Sequence, residues 1–491
     1  MYSKSVFLFL LIGNLLIMSK SYSQELDYTS VDSLTYSYFI SNNRAALNKT
    51  ARQAINSGVD YYYLRMRLGL SAYTNRDFCS AERHFSKALG FNRFDPVAQS
   101  YLMGSLIETM RPIEAGSVFN QSASSARDYT TIKKGFRIIS AHADVGMISR
   151  NEKLQNDFQA ALGGNDIYRE QRIQGKSMIY DAGLLFALRP NLMFYTGYQI
   201  IETDVTDSFA YMENQLGIDS TEIYDWGTAY YYKVLSEGKL ASFSNKIKQQ
   251  SAYLQSRWAP SGRLAFTFAG HIMSIEQSQS YAKVDSILVT DTAYYITYND
   301  SAVMFNTYVG RTSFYEESRK SKDWSLSANA RYSFGKVSAS LGTAISRLNG
   351  QVVNQFSAGM LVMPFGNADL YSLTEISAII DSSDKGFVFR ENIGFRLAKP
   401  LWIEAGILAG DVSRFCDQNG YIVYNSIEKI QLKFESVAYV ILSEHLQFQL
   451  RYKYQITDNP YYVYNQQIEQ IQDMSLKNNA FTIIGGIKWI F

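Results

Sequence analysis

Apolar and polar residues alternate with a period of two along most of this chain. Every second position is apolar from Leu446 to Ile456, and the stretch from Trp324 to Phe334 repeats the pattern. Because successive side chains of a strand point to opposite faces, this alternation predicts strands with one apolar and one polar face. The period of two begins near residue 133 and continues to the end of the sequence.

The final stretch, Asn478 to Phe491, shows the alternation most clearly. Phe481, Trp489 and Phe491 share one apolar face, whereas the other face carries small or polar residues. A last strand of this kind, ending on an aromatic residue, resembles the closing strand and assembly signal of bacterial outer-membrane β-barrels. The alternative is a C-terminal strand of a soluble β-sandwich.

The connections between the strands predict the barrel topology. Tight turns are expected at 189–191, 259–262, 335–336, 365–367, 399–400 and 444–445. Longer Tyr- and Asp-rich stretches, at about 205–246, 277–322 and 459–477, are expected to be external loops. Since such barrels have short periplasmic turns and long external loops, the turns imply 14 strands, the first near Phe136 to Ile148. Barrels of 12 or 16 strands also fit the pattern.

The N-terminus has the pattern of an export signal. Lys4 precedes an apolar run from Val6 to Met18, and small residues at 21–23 precede Gln24. The run is shorter than the roughly 20 residues that a membrane-spanning helix needs. Residues 1–23 are therefore predicted to be a cleaved signal peptide.

The region between the signal and the strands has a helical period. From Tyr61 to Leu89, a large and a small residue in one predicted helix precede small, aromatic and small residues at i, i+4 and i+7 of the next. This spacing resembles a tetratricopeptide repeat, in which small residues let paired helices approach and an aromatic fills the gap between repeats. A second copy follows, and residues 32–57 supply a third helix pair. The predicted packing residues are Leu68, Gly69, Ala81, Phe85, Ala88, Gly104, Ala115 and Phe119. A helical hairpin domain of another kind is the alternative.

These patterns predict an α + β multidomain protein. Residues 24–130 would form a periplasmic, tetratricopeptide-like helical domain, and residues 131–491 an antiparallel transmembrane β-barrel in the outer membrane. The net charge of +2 gives no reason to expect a nucleic-acid partner. Cys79 and Cys416 fall in different regions and are expected to be free thiols.

Positive charge dominates the strand faces that are predicted to point inward. The basic residues on these faces are Arg257, Arg263, Arg331, Arg390, Arg396, Lys433, Arg451, Lys453 and Lys488. The acidic residues are fewer, namely Asp181, Glu404 and Glu435. Positive charge in a lumen with low-dielectric walls concentrates anions, which predicts passage of an anionic solute or polymer. The alternative is a sealed lumen, in which the charges pair with one another or meet lipopolysaccharide phosphates at the rim.

Aromatic residues crowd one of the predicted external loops. They are Tyr224, Trp226, Tyr230, Tyr231 and Tyr232. Aromatic faces can stack on sugar rings, so this loop is a candidate glycan contact; a rigid surface without a ligand is the alternative.

No catalytic or metal-binding constellation is expected, and no cofactor. The histidines are scattered over a helix, two strands and a turn: His84, His142, His271 and His445. None has a second ligand at metal-binding spacing. His142 lies near Ser140 and Asp144, but residues along one strand do not form a preorganised triad, so a lumen or strand-exposed histidine is the interpretation.

Helical repeats ahead of a C-terminal barrel resemble exopolysaccharide export porins and small repeat-plus-barrel outer-membrane proteins. The resemblance rests on the repeat spacing from Leu68 to Ala88 and on the terminal Phe491. It implies a transport or export channel whose helical domain docks a periplasmic protein and whose last strand engages the barrel-assembly machinery. The alternatives are a non-conducting anchor of a multi-protein surface or secretion system and a lipid-modifying barrel enzyme.

Overall fold

The computed structural model describes residues 27–150, 166–224, 227–294, 302–381, 385–425, 428–465 and 470–491. The chain forms two compact units. The helices up to Lys133, with Met363–Ala368, form one unit, and the rest of the chain from Lys134 forms the other. The predicted signal peptide and Trp226 lie outside the described residues.

Seven helices among the described residues make up the first unit. They are α1 (Tyr28–Ile40), α2 (Arg44–Asn56), α3 (Tyr62–Thr74), α4 (Phe78–Phe91), α5 (Pro96–Glu108), α6 (Pro112–Gln121) and α7 (Ser124–Arg127). Asn43, Asp77 and Asp95 each accept a hydrogen bond from a backbone N–H in the first turn that follows, which satisfies a donor that the helix leaves unpaired. Within the described part of the chain, no helix combines the length and the apolar character needed to cross a bilayer.

The side chain of Phe85 holds α3, α4 and α5 together. A Cβ atom at Gly69 would lie 2.7 Å from the Phe85 ring, so glycine is required for this close approach of α3 to α4. On its other side the ring stacks on Tyr101 of α5, with 5.3 Å between centroids. Ala81 and Ala88 are fully buried in the same core cluster. The residues at the predicted repeat spacing therefore pack together and join the consecutive helices α3, α4 and α5.

The other predicted packing residues lie in the same unit. Ala115 and Phe119 are buried in the core cluster of Phe85. Leu68 is buried in a neighbouring cluster with residues of α1 and α2, and a Cβ at Gly104 would meet the Tyr73 hydroxyl at 2.8 Å. These contacts establish a packed helical array, whose kinship with tetratricopeptide repeats stays a prediction.

His84 on α4 lies beside a bidentate ion pair. The Nε and Nη2 atoms of Arg65 donate to the two carboxylate oxygens of Asp60, each at 2.6 Å. The Nη1 atom of Arg65 lies 3.3 Å from Nδ1 of His84; because a guanidinium only donates, Nδ1 accepts and the imidazole is neutral. Burial, reinforced by the positive charges of Arg83 and Arg65, lowers the pKa of His84 to about 4.

Acidification is expected to destabilise the helical unit through His84. In the unfolded chain the imidazole has its ordinary pKa near 6.5, so between about pH 6.5 and 4 only the unfolded state takes up the proton. The contribution to stability is complete above this window and is lost as the pH falls through it. The midpoint of thermal loss of helical circular dichroism should therefore fall with pH over this range. His84→Gln should reduce that decrease, and an equal decrease in the variant would contradict the assignment.

The second unit is a closed antiparallel barrel of 14 strands. The wall strands are β1 (Arg137–Arg150), β2 (Asp166–Arg189), β3 (Leu192–Tyr224), β4 (Gly227–Trp258), β5 (Leu264–Tyr294), β6 (Ala302–Phe334), β7 (Val337–Leu348), β8 (Gln351–Val362), β9 (Leu370–Ile380), β10 (Lys385–Ala398), β11 (Leu401–Gly410), β14 (Lys429–Ile441), β15 (Leu446–Asn465) and β16 (Gln470–Ile490). The strands β12 (Arg414–Asp417) and β13 (Ile422–Asn425) form a separate two-stranded hairpin. Pairing of β16 with β1 closes the ring and confirms the predicted barrel and its 14 strands.

Alternation along the wall strands gives the barrel an apolar exterior. On β5 the outward Ile272 is 65% exposed, whereas the inward His271 is 4% exposed. On the last strand Phe481 and Trp489 also face outward and are exposed, as is the terminal Phe491. A contiguous apolar surface of this kind is normally covered by a partner or by lipid.

Four wall strands extend far beyond the length needed to cross a bilayer. The strands β3 to β6 contain between 31 and 33 residues each, whereas about 9–11 residues suffice. The expectation of long external loops at about 205–246 and 277–322 was therefore wrong. Tyr224 ends β3 and residues 230–232 lie in β4, so the predicted aromatic loop is the end of a strand hairpin.

The reason for this error is that the two extended hairpins pack against each other. Strands β4 and β5 pair only between Ile247 and Trp258, and beyond that point they separate. The ring of Phe314 on β6 then packs on that of Phe209 on β3, with 5.3 Å between centroids. Because both faces of β3 are covered here, Asp207–Ala210 are all buried and the simple alternation is lost.

The stretch 459–477, also expected to be a loop, belongs largely to β15 and β16. Tyr461–Asn465 of β15 additionally pairs with residues 166–171 of β2, although β1 and β16 separate these strands in the wall.

Candidate functional site: a hairpin inside the barrel

The segment between β11 and β14 crosses the barrel lumen. Its strands β12 and β13 are joined by a single helical turn, Gln418–Gly420. In the ring of 14 strands, six strand-to-strand steps separate β11 from β5 and six separate β14 from β4. The tip of this segment contacts β4 and β5, so it reaches the wall directly opposite its origin. We call residues 411–425 the lumen hairpin.

Backbone carbonyls at the tip of the lumen hairpin accept hydrogen bonds from the opposite wall. The carbonyl of Gly420 accepts from Nδ1 of His271 at 2.8 Å, which fixes the tautomer of this buried histidine. The carbonyl of Asn419 accepts from the hydroxyls of Ser327 at 2.8 Å and Tyr253 at 3.3 Å. The tip is therefore attached to three neighbouring strands, β4, β5 and β6.

Tyr421 attaches the lumen hairpin to β2. Its hydroxyl donates to Oδ1 of Asp181 at 2.7 Å, and Nε2 of His142 donates to the same oxygen at 2.9 Å. The register of β1 and β2 places Asp144 directly opposite Asp181, so the ligand atoms of His142, Asp144 and Asp181 lie within 4.8 Å of one another. Sequence reasoning considered His142 and Asp144 but missed Asp181 as their partner, because that contact depends on strand pairing.

Protein donors satisfy both carboxylates of this group. Gln199 donates to Oδ2 of Asp181 at 3.1 Å. Gln449 donates to both oxygens of Asp144, at 2.7 and 2.6 Å. The arrangement is a hydrogen-bonded anchor for Tyr421, and it explains why these polar groups are buried in the wall.

Buried ion pairs hold the stem of the lumen hairpin. Asp417 pairs with Arg390 of β10. The Nζ atom of Lys433 on β14 donates to the Tyr424 hydroxyl at 2.6 Å and pairs with Glu435 at 3.0 Å. Breaking one side of such a buried pair is strongly destabilising, so these contacts hold the hairpin in place.

The base of the lumen hairpin is fixed by backbone geometry and apolar packing. Gly410 has φ +125°, and a Cβ there would collide with the Phe387 carbonyl, so the chain turns inward at a position that requires glycine. Phe415 is buried in a core cluster with wall residues of β8 to β11 and β14. The backbone N–H and C=O of Cys416 both bond to the side chain of Gln355, at 3.1 and 3.0 Å. Cys416 is buried, and neither it nor Cys79 forms a disulfide.

Most of the basic residues that were predicted for the lumen lie on inward strand positions. These are Arg257, Arg331, Arg390, Arg396, Lys433, Arg451, Lys453 and Lys488. Arg263 is the exception: it lies in the turn before β5 and is exposed, so its placement on a strand was wrong.

Carboxylates neutralise several of these inward cations. Glu435 pairs with Arg451 at 3.2 Å as well as with Lys433. Asp369 pairs with Arg396 at 3.1 Å. Glu404 of β11 instead accepts hydrogen bonds from the hydroxyls of Tyr371 on β9 and Tyr439 on β14. Asp417, which neutralises Arg390, is carried by the lumen hairpin and was missed because the sequence does not show that this segment folds inward.

A cavity of about 590 Å³ remains in the lumen beside the hairpin. Inward isoleucines from six strands line it, and we call them the isoleucine band: Ile148, Ile179, Ile201, Ile247, Ile275 and Ile484. Ile179 pairs directly with Ile201, and both Ile484 and Ile179 lie opposite Gly146. Each of the neighbouring strands from β16 to β5 thus contributes one isoleucine to the band. Apolar side chains at this level were not expected in a polar lumen.

Three cations line the cavity, together with the carboxylates of Asp144, Asp181 and Glu428. Arg150 pairs with Glu428 at 3.6 Å, and Arg451 pairs with Glu435. Lys453 lies directly opposite Glu435 in the register of β14 and β15, but no ion pair joins it to a residue that the structure describes. The cavity thus combines an apolar wall with one cation that has no direct ion-pair partner in the described part of the chain.

The sequence matches no family profile and no curated protein. Similar solved structures include the Pseudomonas putida toluene transporter TodX, with 7% identity, 74% of this chain and 92% of that chain covered, and a TM-score of 0.37. A FadL homologue of Pseudomonas aeruginosa has 7% identity, 79% and 93% coverage and a TM-score of 0.36. An anion-selective porin from Comamonas acidovorans has 10% identity, 73% and 100% coverage and a TM-score of 0.29. Similarity at this level identifies no function.

Proposed function

We propose that this protein is an outer-membrane channel for a small solute that has an apolar part and an anionic group, and that the lumen hairpin closes it. The observation that carries the proposal is the hairpin itself, which crosses the whole lumen and leaves a cavity lined by the isoleucine band and Lys453. The alternating exterior supports a membrane location, because outward side chains such as Ile272 would be costly in water.

The cavity supports the choice of solute. Its volume of about 590 Å³ falls within the range of roughly 300–1,000 Å³ that is usual for small-molecule sites. An extended polymer would have to displace the hairpin completely, so a small solute fits better than a polymer. An apolar body would contact the isoleucine band, while Lys453 would meet the anionic group and favour anions over cations.

The helical unit completes the proposal. We place it in the periplasm, following the predicted export signal, where a packed helical array offers a docking surface for a partner protein. Outer-membrane lipid and lipopolysaccharide would surround the barrel, and the barrel-assembly machinery would recognise the strand that ends in Phe491. No enzymatic activity forms part of this proposal.

Substitution of Lys453 by Gln is expected to lower the anion preference of the channel. Loss of the cation removes the local potential that favours anions in the cavity. The reversal potential of the refolded mature protein in a planar bilayer, under a potassium chloride gradient, measures this preference. The permeability ratio of anion to cation should fall about twofold or more. Lys399→Gln, in the exposed turn between β10 and β11, is the control with the same change of charge.

The outcomes of this experiment distinguish a channel from a non-conducting anchor. An anion preference that Lys453→Gln reduces and Lys399→Gln leaves unchanged supports the proposal. Cation selectivity of the wild-type protein would refute the anionic solute. No conductance in any of these proteins or in a folded variant that lacks residues 414–425 would favour a non-conducting anchor in a multi-protein assembly.

A further inference from the structure

A groove of about 470 Å³ lies in the helical unit, between α2 and α4 with α3 as its floor. We call it the α2–α4 groove. Arg44 and Arg52 line its α2 side, and Arg83 and Lys87 line its α4 side. Apolar residues that form its floor include Ala51 of α2 and Leu68 and Ala72 of α3.

The α2–α4 groove is strongly positive. Arg44, Arg52, Arg83 and Lys87 form no ion pair with any residue that the structure describes. The carboxylate that lines the groove, Asp77, caps α4 and accepts from the backbone N–H and the hydroxyl of Ser80, at 3.1 and 2.8 Å. Cations therefore outnumber carboxylates in a confined space.

The state of His84 reflects this positive potential. His84 lines the groove and stays neutral, since Arg83 and Arg65 add to the effect of burial in lowering its pKa. Arg65 is already engaged by Asp60. The other cations are held on packed helices, where like charges repel one another, so an anion bound between them would relieve that repulsion.

The cations are arranged in rows rather than in a compact cluster. Arg44, Asn48 and Arg52 recur every four residues along one face of α2, a distance of about 12 Å. Arg83 and Lys87 form the same spacing on α4. An extended chain that advances about 3.3 Å per residue would place three or four residues along the groove. A compact ion such as phosphate would fill only one end.

We propose that the α2–α4 groove binds an extended acidic segment of a partner protein. The carboxylates of this segment contact the two rows of cations, and its small apolar side chains contact the floor of the groove. This inference rests on the proposed docking role of the helical unit and is independent of conduction through the barrel. Guanidinium groups suit such a segment because they bind carboxylates with two parallel hydrogen bonds.

Binding of a fluorescent peptide to the refolded full-length protein tests this inference. The probe is a hexapeptide of Asp and Glu alternating with Ala, and its anisotropy is followed at low and at physiological ionic strength. The double variant Arg52→Glu with Lys87→Glu should weaken binding about tenfold or more. It should also bind a matched probe in which Lys replaces Asp and Glu. Both residues are exposed, so the fold should tolerate the change, which circular dichroism verifies.

Two controls make the result decisive. Lys49→Glu with Arg93→Glu makes the same change of net charge at exposed positions outside the groove, and it should leave probe binding unchanged. Equal loss of binding in both double variants would show that only net charge matters and would overturn the proposal. Groove-dependent binding of polyphosphate or lipopolysaccharide, with none of the acidic peptide, would also overturn it. Conductance measured on the same variants reports separately on the channel, so failure of one proposal does not imply failure of the other.

Discussion

Replacement of residues 414–425 by a short Gly-Ser linker is expected to raise single-channel conductance by roughly an order of magnitude. A barrel of 14 strands is too wide for its wall side chains to fill, so removal of the segment inside it should open the lumen. The linker removes the tip that bonds to His271 and the Tyr421 hydroxyl that bonds to Asp181. It keeps Gly410 and Val412, so the inward turn at the base is retained, while the packing of Phe415 against the wall is lost. Planar-bilayer recording of the refolded variant and of the wild type measures the effect.

A milder variant tests whether the anchor at the tip matters by itself. Tyr421→Phe keeps the ring but removes the hydroxyl that donates to Asp181, and it should give brief openings rather than a permanently open pore. Heat-modifiable migration in electrophoresis would verify that both barrels are folded. If the linker variant is folded but conducts no more than the wild type, the lumen hairpin does not close the channel.

Substitution of Phe85 by Ala is expected to destabilise the helical unit by about 3–5 kcal/mol. The ring is fully buried between Gly69 of α3 and Tyr101 of α5, so its loss leaves a cavity where three helices meet. The thermal midpoint of the helical circular dichroism signal should fall strongly in the full-length protein. The barrel, which does not contain this contact, should keep its heat-modifiable migration.

Phe94→Ala provides the matched control for Phe85→Ala. Phe94 lies in the connection between α4 and α5 and is 70% exposed, so the same truncation there should change the midpoint little. Similar losses at the two positions would show that Phe85 is not a central packing residue of the unit.

The sequence predicted the barrel because the alternation is a local property. Ile272 faces the outside of the barrel and its neighbour His271 faces the lumen, and the alternation alone identified both faces. Short turns between such strands then predicted the number of strands. The prediction failed at Asp207–Ala210, where a second hairpin packs on β3 and residues on both faces of the strand are buried.

The lumen hairpin depends on contacts that are distant in sequence. Asn419-Gly420 is a recognisable turn signal, which could have indicated a hairpin between β11 and β14. Its inward direction depends on Tyr253, His271 and Asp181, far earlier in the chain. The pairing of Asp417 with Arg390 was hidden for the same reason.

The sequence contains part of the information that is needed to predict the α2–α4 groove. The four-residue spacing of Arg44 and Arg52 places them on one helical face, and that of Arg83 and Lys87 does so on another. Only the packing of α2 and α4 across α3 brings the two rows together around one groove.

The seam between β1 and β16 has a consequence for how the barrel folds. It pairs Ser140 with Ile490, which are 350 positions apart in the sequence, and the backbone N–H of Phe491 adds a bond to the carbonyl of Ile139. Closing so long a loop gains nothing until the last strand is present, so the seam is expected to form late and slowly. Until then the edge of β1 remains unpaired and able to bind other strands, which makes the interval before closure the period of greatest risk of aggregation.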